Sequence, residues 1–470
     1  MTAHPLEPGR DEMLAMGGAV LDELAGFVEG LPGAPSVDFD GLEDLVRELL
    51  RPPAEEPGDF RTLLDGLQQA MGKAVETAGP SYLAYIPGGG LFTSALAELI
   101  TRVYNRYTGV SALGPGPVAM EQGVMDWLCR EFDLPLGALG VVSTGGSMAT
   151  VSALVAARER MLGEDFSDGT LYVTAHTHLC VAKAARVVGF PAARMRVVPT
   201  SPDLRMAPEA AARIIAQDRA DGLRPAVLVG TAGTTDSGAV DDLERLAELC
   251  QAENLWFHVD GAYGGFFQLT TRGRQRLAGI DRADSIVLDP HKGLFLPFGT
   301  GVLLVRDRTT LQAAFGTDAS YLQDLHVTET LPDYNSLTPE LTREARGPRL
   351  WLPLHLHGVS AFRAALEEKL DLAAGAYRAL SSDPRIETDG PPDLTVVTFR
   401  LRGGDDDDHR RWLERINASR RVHLSSTRIG GRYTLRLCVL SHRTHADRVD
   451  EAVELIRARA PGEAATDSKA

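Results

Sequence analysis

Cysteine is scarce: four residues in 470 (Cys129, Cys180, Cys250 and Cys438), none in a CxxC pair or at metal-ligand spacing. That excludes a disulfide-stapled scaffold and suits a reducing compartment. No apolar run is long enough to span a bilayer. The opening "MTAHPLEPGRDEMLAMGGAVLDELAGF" puts charges where a signal peptide needs its apolar core, so it is expected to form an amphipathic helix of a cytoplasmic protein. Basic stripes interleaved with aromatics are also missing. With 64 acidic against 48 basic residues the net charge is −16, which disfavours nucleic acid and anionic membranes as partners. Neither GxGxxG nor GK[ST] occurs after a predicted strand, which removes the dinucleotide-binding and P-loop classes.

What is present is the composition of an ordinary globular protein, 44% apolar and 24% charged. Residues 1–80 read as helical, with "FDGLEDLVRELL" and "DFRTLLDGLQQAMGKAV" at helical spacing around the breaker "RPPAEEPG". These helices have no apolar partner of their own, so they are expected to pack elsewhere on the chain or on a second subunit. Residues 81–355 form the large region, in which compact apolar runs alternate with helices from about residue 137. The runs are "LGVVST", "TLYVTAH", "RMRVVPT", "AVLVGTAG", "LWFHVDGAY", "DSIVLDPHK" and "GVLLVRD". That pattern predicts an α/β fold, a mostly parallel sheet sandwiched by helices. Residues 356–460 mix helices with short strands and predict a small α+β domain. Within it "GGDDDDH" reads as a solvated acidic loop, and 461–470 as a disordered tail.

In an open parallel sheet, ligands bind beyond the carboxyl ends of the strands. After "GVVS" comes Thr144-Gly145-Gly146-Ser147, a helix start whose free N–H groups suit phosphate, although a structural turn reads the same way. After "TLYVTA" come His176 and His178, which on a strand would share a face. A metal pair there lacks a third ligand, so no metal is expected. "TAGTTDSGAVDDL" offers hydroxyl residues, with Ser237 or Asp241 as a helix cap. Asp260 ends an apolar strand, where a carboxylate must be paired. His291 and Lys292 follow "SIVLDP". A phosphate site, a buried carboxylate and a buried lysine fit one cofactor, pyridoxal 5′-phosphate: the carboxylate holds the pyridinium and the lysine binds the aldehyde covalently.

With "STGGSMAT", "THLCVAKAA", "GTAGTTDSGAVDDL", "FHVDGAYGG" and "DPHKG" in this order, the chain resembles the group II pyridoxal-phosphate decarboxylases, which act on aromatic amino acids, tyrosine, histidine or glutamate. The similarity runs from about residue 10 to 460 and includes "YLAYIPGGG", "MEQGVMDWL" and "RLWLPLHLHG". The resemblance implies fold type I of the pyridoxal-phosphate enzymes, with an N-terminal dimerisation segment and a homodimer sharing its active sites. It implies removal of the α-carboxylate of an L-amino acid to give an amine and CO₂. The alternatives are oxidative deamination to an aldehyde, transamination, or a catalytically silent cofactor-binding homologue. By position, Lys292 resembles the Schiff-base lysine, His291 its neighbour, Asp260 the pyridinium partner and Ala262 the residue beneath the ring. His178 resembles the ring-stacking histidine, Gly146 and Ser147 the phosphate ligands with Asp289 nearby, and Thr235 the threonine by the ring hydroxyl. Tyr334 resembles the mobile-loop tyrosine that protonates the carbanion. Three departures stand on the substrate side: Gly293 where many relatives have Trp, Leu179-Cys180 where they often have Ser, and Gly88-Gly89-Gly90, whose small residues suggest room or a backbone surface for a polar group.

Overall fold

The computed structural model describes residue 4, residues 6–316 and residues 330–461. Seven strands form the central sheet: β1 Leu139–Ser143, β2 Gly169–Thr174, β3 Met195–Val198, β4 Arg224–Thr231, β5 Trp256–Asp260, β6 Ser285–Leu288 and β7 Gly301–Val305. Their spatial order is β1-β7-β6-β5-β4-β2-β3. Only β7 runs antiparallel to its neighbours β1 and β6, so the expected mostly parallel sheet is present. Near-continuous apolar runs are what such a sheet requires, because both faces are covered. Along β4, Val227 and Val229 pack into one core and Leu228 into the other. The helix Gly146–Leu162 covers the first face with Leu154, and Pro115–Glu131 covers the second with Met125 and Leu128.

The small domain is a four-stranded antiparallel sheet ordered β10-β11-β9-β8. Its strands are β8 Ile386–Thr388, β9 Val396–Leu401, β10 Ser425–Ile429 and β11 Arg432–Cys438, backed by the helices Val359–Ser381, Asp406–Asn417 and Ala446–Arg459. Two expectations change here. Residues 81–83 do not open the large domain: Leu83 donates to His423 O at 3.0 Å and accepts from Cys438 N–H at 2.9 Å, and its side chain lies in the small-domain core. The acidic run is a helix start rather than a loop. Asp405 is the N-cap in a reciprocal capping box with Asp408, and acidic residues in a first turn match the helix dipole.

The N-terminal helix Arg10–Gly30 has no buried residue, and Leu14, Leu21, Leu24 and Phe27 are exposed along it. Part of the N-terminal region does pack on the chain, since Ser36 N–H donates to Arg420 O at 2.7 Å and Asp40 pairs with Arg420 at 2.8 Å. Most of the tail expected to be disordered, residues 462–470, lies outside the described residues. Among the described residues no helix is long and apolar enough to cross a membrane.

Candidate active site

A cavity of about 310 Å³ opens where the carboxyl ends of β1, β2, β4, β5 and β6 meet. It is lined by nine of the residues singled out above: Gly146, Ser147, His178, Thr235, Asp260, Ala262, Asp289, His291 and Lys292. Residues from five separate strand ends converge because parallel strands all release their chains on the same edge.

Lys292 sits on a one-turn helix, Pro290–Gly293, directly after β6. Its Nζ is 2.8 Å from Asp289 Oδ2, on a side chain that is itself only 4% exposed. His291 donates from Nδ1 to Thr300 O at 2.7 Å, which leaves Nε2 without a proton and 3.6 Å from Asp289 Oδ2. Burial pushes the His291 imidazole below the usual histidine range, with Asp289 opposing.

Asp260 ends β5 and is buried; its Oδ1 accepts from Ala262 N–H at 3.1 Å. Among the described residues it makes no ion pair. Burial pushes its carboxyl up, and the Lys292 ammonium pulls it the other way. A carboxylate so placed has no counter-charge in direct contact, which a protonated ring nitrogen would supply. The N-terminus of the helix Gly146–Leu162 faces the same cavity and presents N–H groups without intrahelical acceptors. These residues therefore fit pyridoxal phosphate at three points: aldehyde, ring nitrogen and phosphate.

His176 and His178 are not on a strand, because β2 ends at Thr174. His178 instead caps the helix Leu179–Val187, its Nδ1 accepting from Cys180 N–H at 3.3 Å. That bond puts the imidazole proton on Nε2. His176 Nδ1 lies 2.5 Å from Asp236 Oδ2, a pairing that raises its affinity for a proton. Among the described residues no group of three His, Cys, Asp or Glu side chains is placed to hold a metal. The next helix is capped by Asp242, whereas Asp241 is buried and accepts from Met206 and Thr231 N–H.

Tyr334 does not line the cavity. It is fully buried on a short 3₁₀ turn, with the Arg343 guanidinium 4.3 Å from its ring centre. Its hydroxyl has no hydrogen-bond partner, and burial holds the phenol far above the usual tyrosine range. A loop position was expected; in the fold the ring completes the core behind β1. Tyr334→Phe is therefore expected to leave stability equal or higher by about 1 kcal/mol, since a buried unpaired hydroxyl is a cost. A clear loss of stability in chemical denaturation of the purified variant would contradict this.

Two of the three substrate-side departures also read differently in the fold. A Cβ on Gly293 would lie 2.5 Å from Phe266 Cβ, so the volume that a larger residue needs is already filled. A Cβ on Gly88 would lie 2.0 Å from the His291 carbonyl oxygen. That glycine permits the loop to press on the turn carrying Lys292; it does not open space. The third, Cys180, lines the cavity, and burial pushes its thiol up to about 12, so it is not a nucleophile.

Sequence reasoning passed over Arg436. It is buried on β11 and donates to Tyr85 O and Ser425 Oγ at 3.1 Å each and to Thr235 O. It thereby ties the small domain to the loop carrying Thr235. The signal was an arginine inside the apolar strand "YTLRLCVL".

The pyridoxal-dependent decarboxylase conserved domain matches residues 44–402. The chain is 29% identical over 466 residues to the aromatic-L-amino-acid decarboxylase of Bacillus atrophaeus, covering 97% of each. It is 31% identical to a tyrosine decarboxylase of Oryza sativa subsp. japonica, covering 96% of this chain and 91% of the other. The solved structure of Oryza sativa TDC with PLP and tryptamine superposes with a TM-score of 0.91 at 26% identity, over 98% of this chain and 99% of the other. The fold is thus fold type I, the cofactor is pyridoxal phosphate, and the chain belongs to the pyridoxal-dependent decarboxylases, carboxy-lyases that act on amino acids.

Proposed function

We propose that this chain converts an L-amino acid to its amine and CO₂ with Lys292, Asp260 and His178 as the working side chains. The observation that carries the reading is their convergence, with the N-terminus of the helix Gly146–Leu162, on one cavity. Bound there, pyridoxal phosphate supplies an electron sink for the pair left behind when CO₂ departs.

The protein's part is to hold and to move protons. Lys292 Nζ would hold the cofactor through its aldehyde carbon. Asp260 keeps a proton on the ring nitrogen, with Oδ1 fixed by Ala262 N–H. His178, held by its own capping bond, fixes one face of the site. Tyr334 or the Nε2 proton of His178 would supply the proton to the α-carbon. Thr235, whose carbonyl is clamped by Arg436, would border the ring hydroxyl, and His291 braces the Lys292 turn through Thr300 O.

The exposed apolar side chains of Arg10–Gly30 support a homodimer, since a helix with no buried residue gains its stability from a partner. Cysteine usage and charge support a cytoplasmic enzyme.

Incubating purified protein and cofactor with each of the twenty amino acids is expected to release CO₂ with one equivalent of amine from a narrow subset. An aldehyde and ammonia in place of the amine, or amino-group transfer to a keto acid, would overturn the reading.

A further inference from the structure

A carboxylate stands beside the helix start where the phosphate is expected. Asp289 is buried, and a Cβ built on Gly146, the first residue of the phosphate-side helix, would lie 3.0 and 3.1 Å from its two carboxylate oxygens. Oδ2 is satisfied by Lys292 Nζ at 2.8 Å, whereas Oδ1 is buried with no hydrogen-bond partner. Lys292 is the only lysine or arginine among the described residues lining the cavity. His291 Nε2, 3.6 Å from Oδ2, carries no proton while Nδ1 donates to Thr300 O.

A phosphate ester brings about two negative charges to this spot at neutral pH. When the Lys292 nitrogen is consumed in binding the aldehyde, its positive charge no longer belongs to Asp289 alone. The carboxylate then faces the phosphate at close range, in a buried setting where like charges repel more strongly than in water. The positive end of the helix dipole attracts both anions, although none of its N–H groups hydrogen-bonds Asp289, whose Oδ1 stays without a partner.

We infer that Asp289 sets the strength of the phosphate hold: its charge lies against the anion-binding helix start, beside Lys292, and so makes the bound cofactor readily exchangeable. The inference rests on Lys292 and the Gly146 helix being the two ends of one cofactor site. An amide at position 289 keeps the shape, removes the charge and offers an N–H to the phosphate. The aspartate therefore acts as a specificity determinant at the phosphate end, set against tight retention.

The test compares full-length wild type, Asp289→Asn and Asp289→Ser, each stripped of cofactor, in absorbance titrations with pyridoxal phosphate and with pyridoxal, which lacks the phosphate. Asp289→Asn is expected to bind pyridoxal phosphate at least about tenfold more tightly, with a smaller gain for Asp289→Ser and little change for pyridoxal. Inorganic phosphate should compete with pyridoxal phosphate more effectively in the Asn variant than in wild type. Equal gains for pyridoxal and its phosphate would overturn the proposal, because Asp289 would then act through Lys292 alone. Unchanged or weaker binding of the phosphate ester by both variants, with melting temperatures preserved, would overturn it too. If wild type shows no lysine-bound cofactor absorbance at all, the site assignment fails first, and that outcome is separate from the other two.

Discussion

Lys292→Ala is expected to remove the long-wavelength absorbance of lysine-bound cofactor and to lower CO₂ release by on the order of 10³-fold or more. The position of the side chain explains the size of the effect. Lys292 is delivered by a one-turn helix at the end of β6, and the loop around Gly88 packs against the carbonyl of His291 beside it. No other lysine or arginine lines the cavity among the described residues, so no neighbour can replace its nitrogen. The truncation also leaves Asp289 Oδ2 without the ammonium at 2.8 Å, which adds an uncompensated buried carboxylate to the loss of the nucleophile. Absorbance and CO₂ measured on the same preparation check the prediction. Survival of the absorbance would mean that another amine carries the cofactor.

The second large effect falls on stability. Glu121, on the helix Pro115–Glu131, is 1% exposed and pairs with the fully buried Arg343, with Arg343 Nη1 2.9 Å from Glu121 Oε2. Both side chains grip β1: Glu121 Oε1 accepts from Val142 N–H at 3.1 Å, and Arg343 Nη2 donates to Val142 O at 2.7 Å. Glu121→Ala leaves a guanidinium buried under the Tyr334 ring with no carboxylate and opens a cavity beside it. The expected cost is about 3–5 kcal/mol, read from chemical denaturation of the purified protein. Because β1 runs into Thr144 and Gly145, the phosphate side of the cavity should loosen as well, and cofactor affinity should fall with stability. Replacing both partners, Glu121→Met with Arg343→Met, is expected to recover much of the loss, since the buried charge is then gone. A Glu121→Ala variant as stable as wild type would show that the pair contributes nothing net.

The ends of the strands were legible in the sequence, and with them most of the site. A strand buried on both faces must be nearly all apolar, so the first polar residue after each run marks where the chain leaves the sheet. Asp260, Lys292, His178 and the Gly145-Gly146 helix start were found in that way, and one topology brings them together. The antiparallel placement of β7 was not legible, because "GVLLVRD" has the same composition whichever direction it runs.

The remaining features were decided by tertiary contacts. Tyr334 lies in a polar stretch that reads as a surface loop, yet Arg343 and Glu121, more than two hundred residues apart, form the buried site that receives it. Gly88 belongs to a triple glycine that reads as room, yet a carbonyl oxygen already fills the space a Cβ would need there. The four consecutive aspartates read as a solvated loop until their place at a helix start gave two of them a capping role. Local sequence thus determined which residues reach the edge of the sheet, because burial on both faces dictates that pattern along a single strand. Which of them line the cavity, and which fill the core, depended on close packing between segments far apart in the chain.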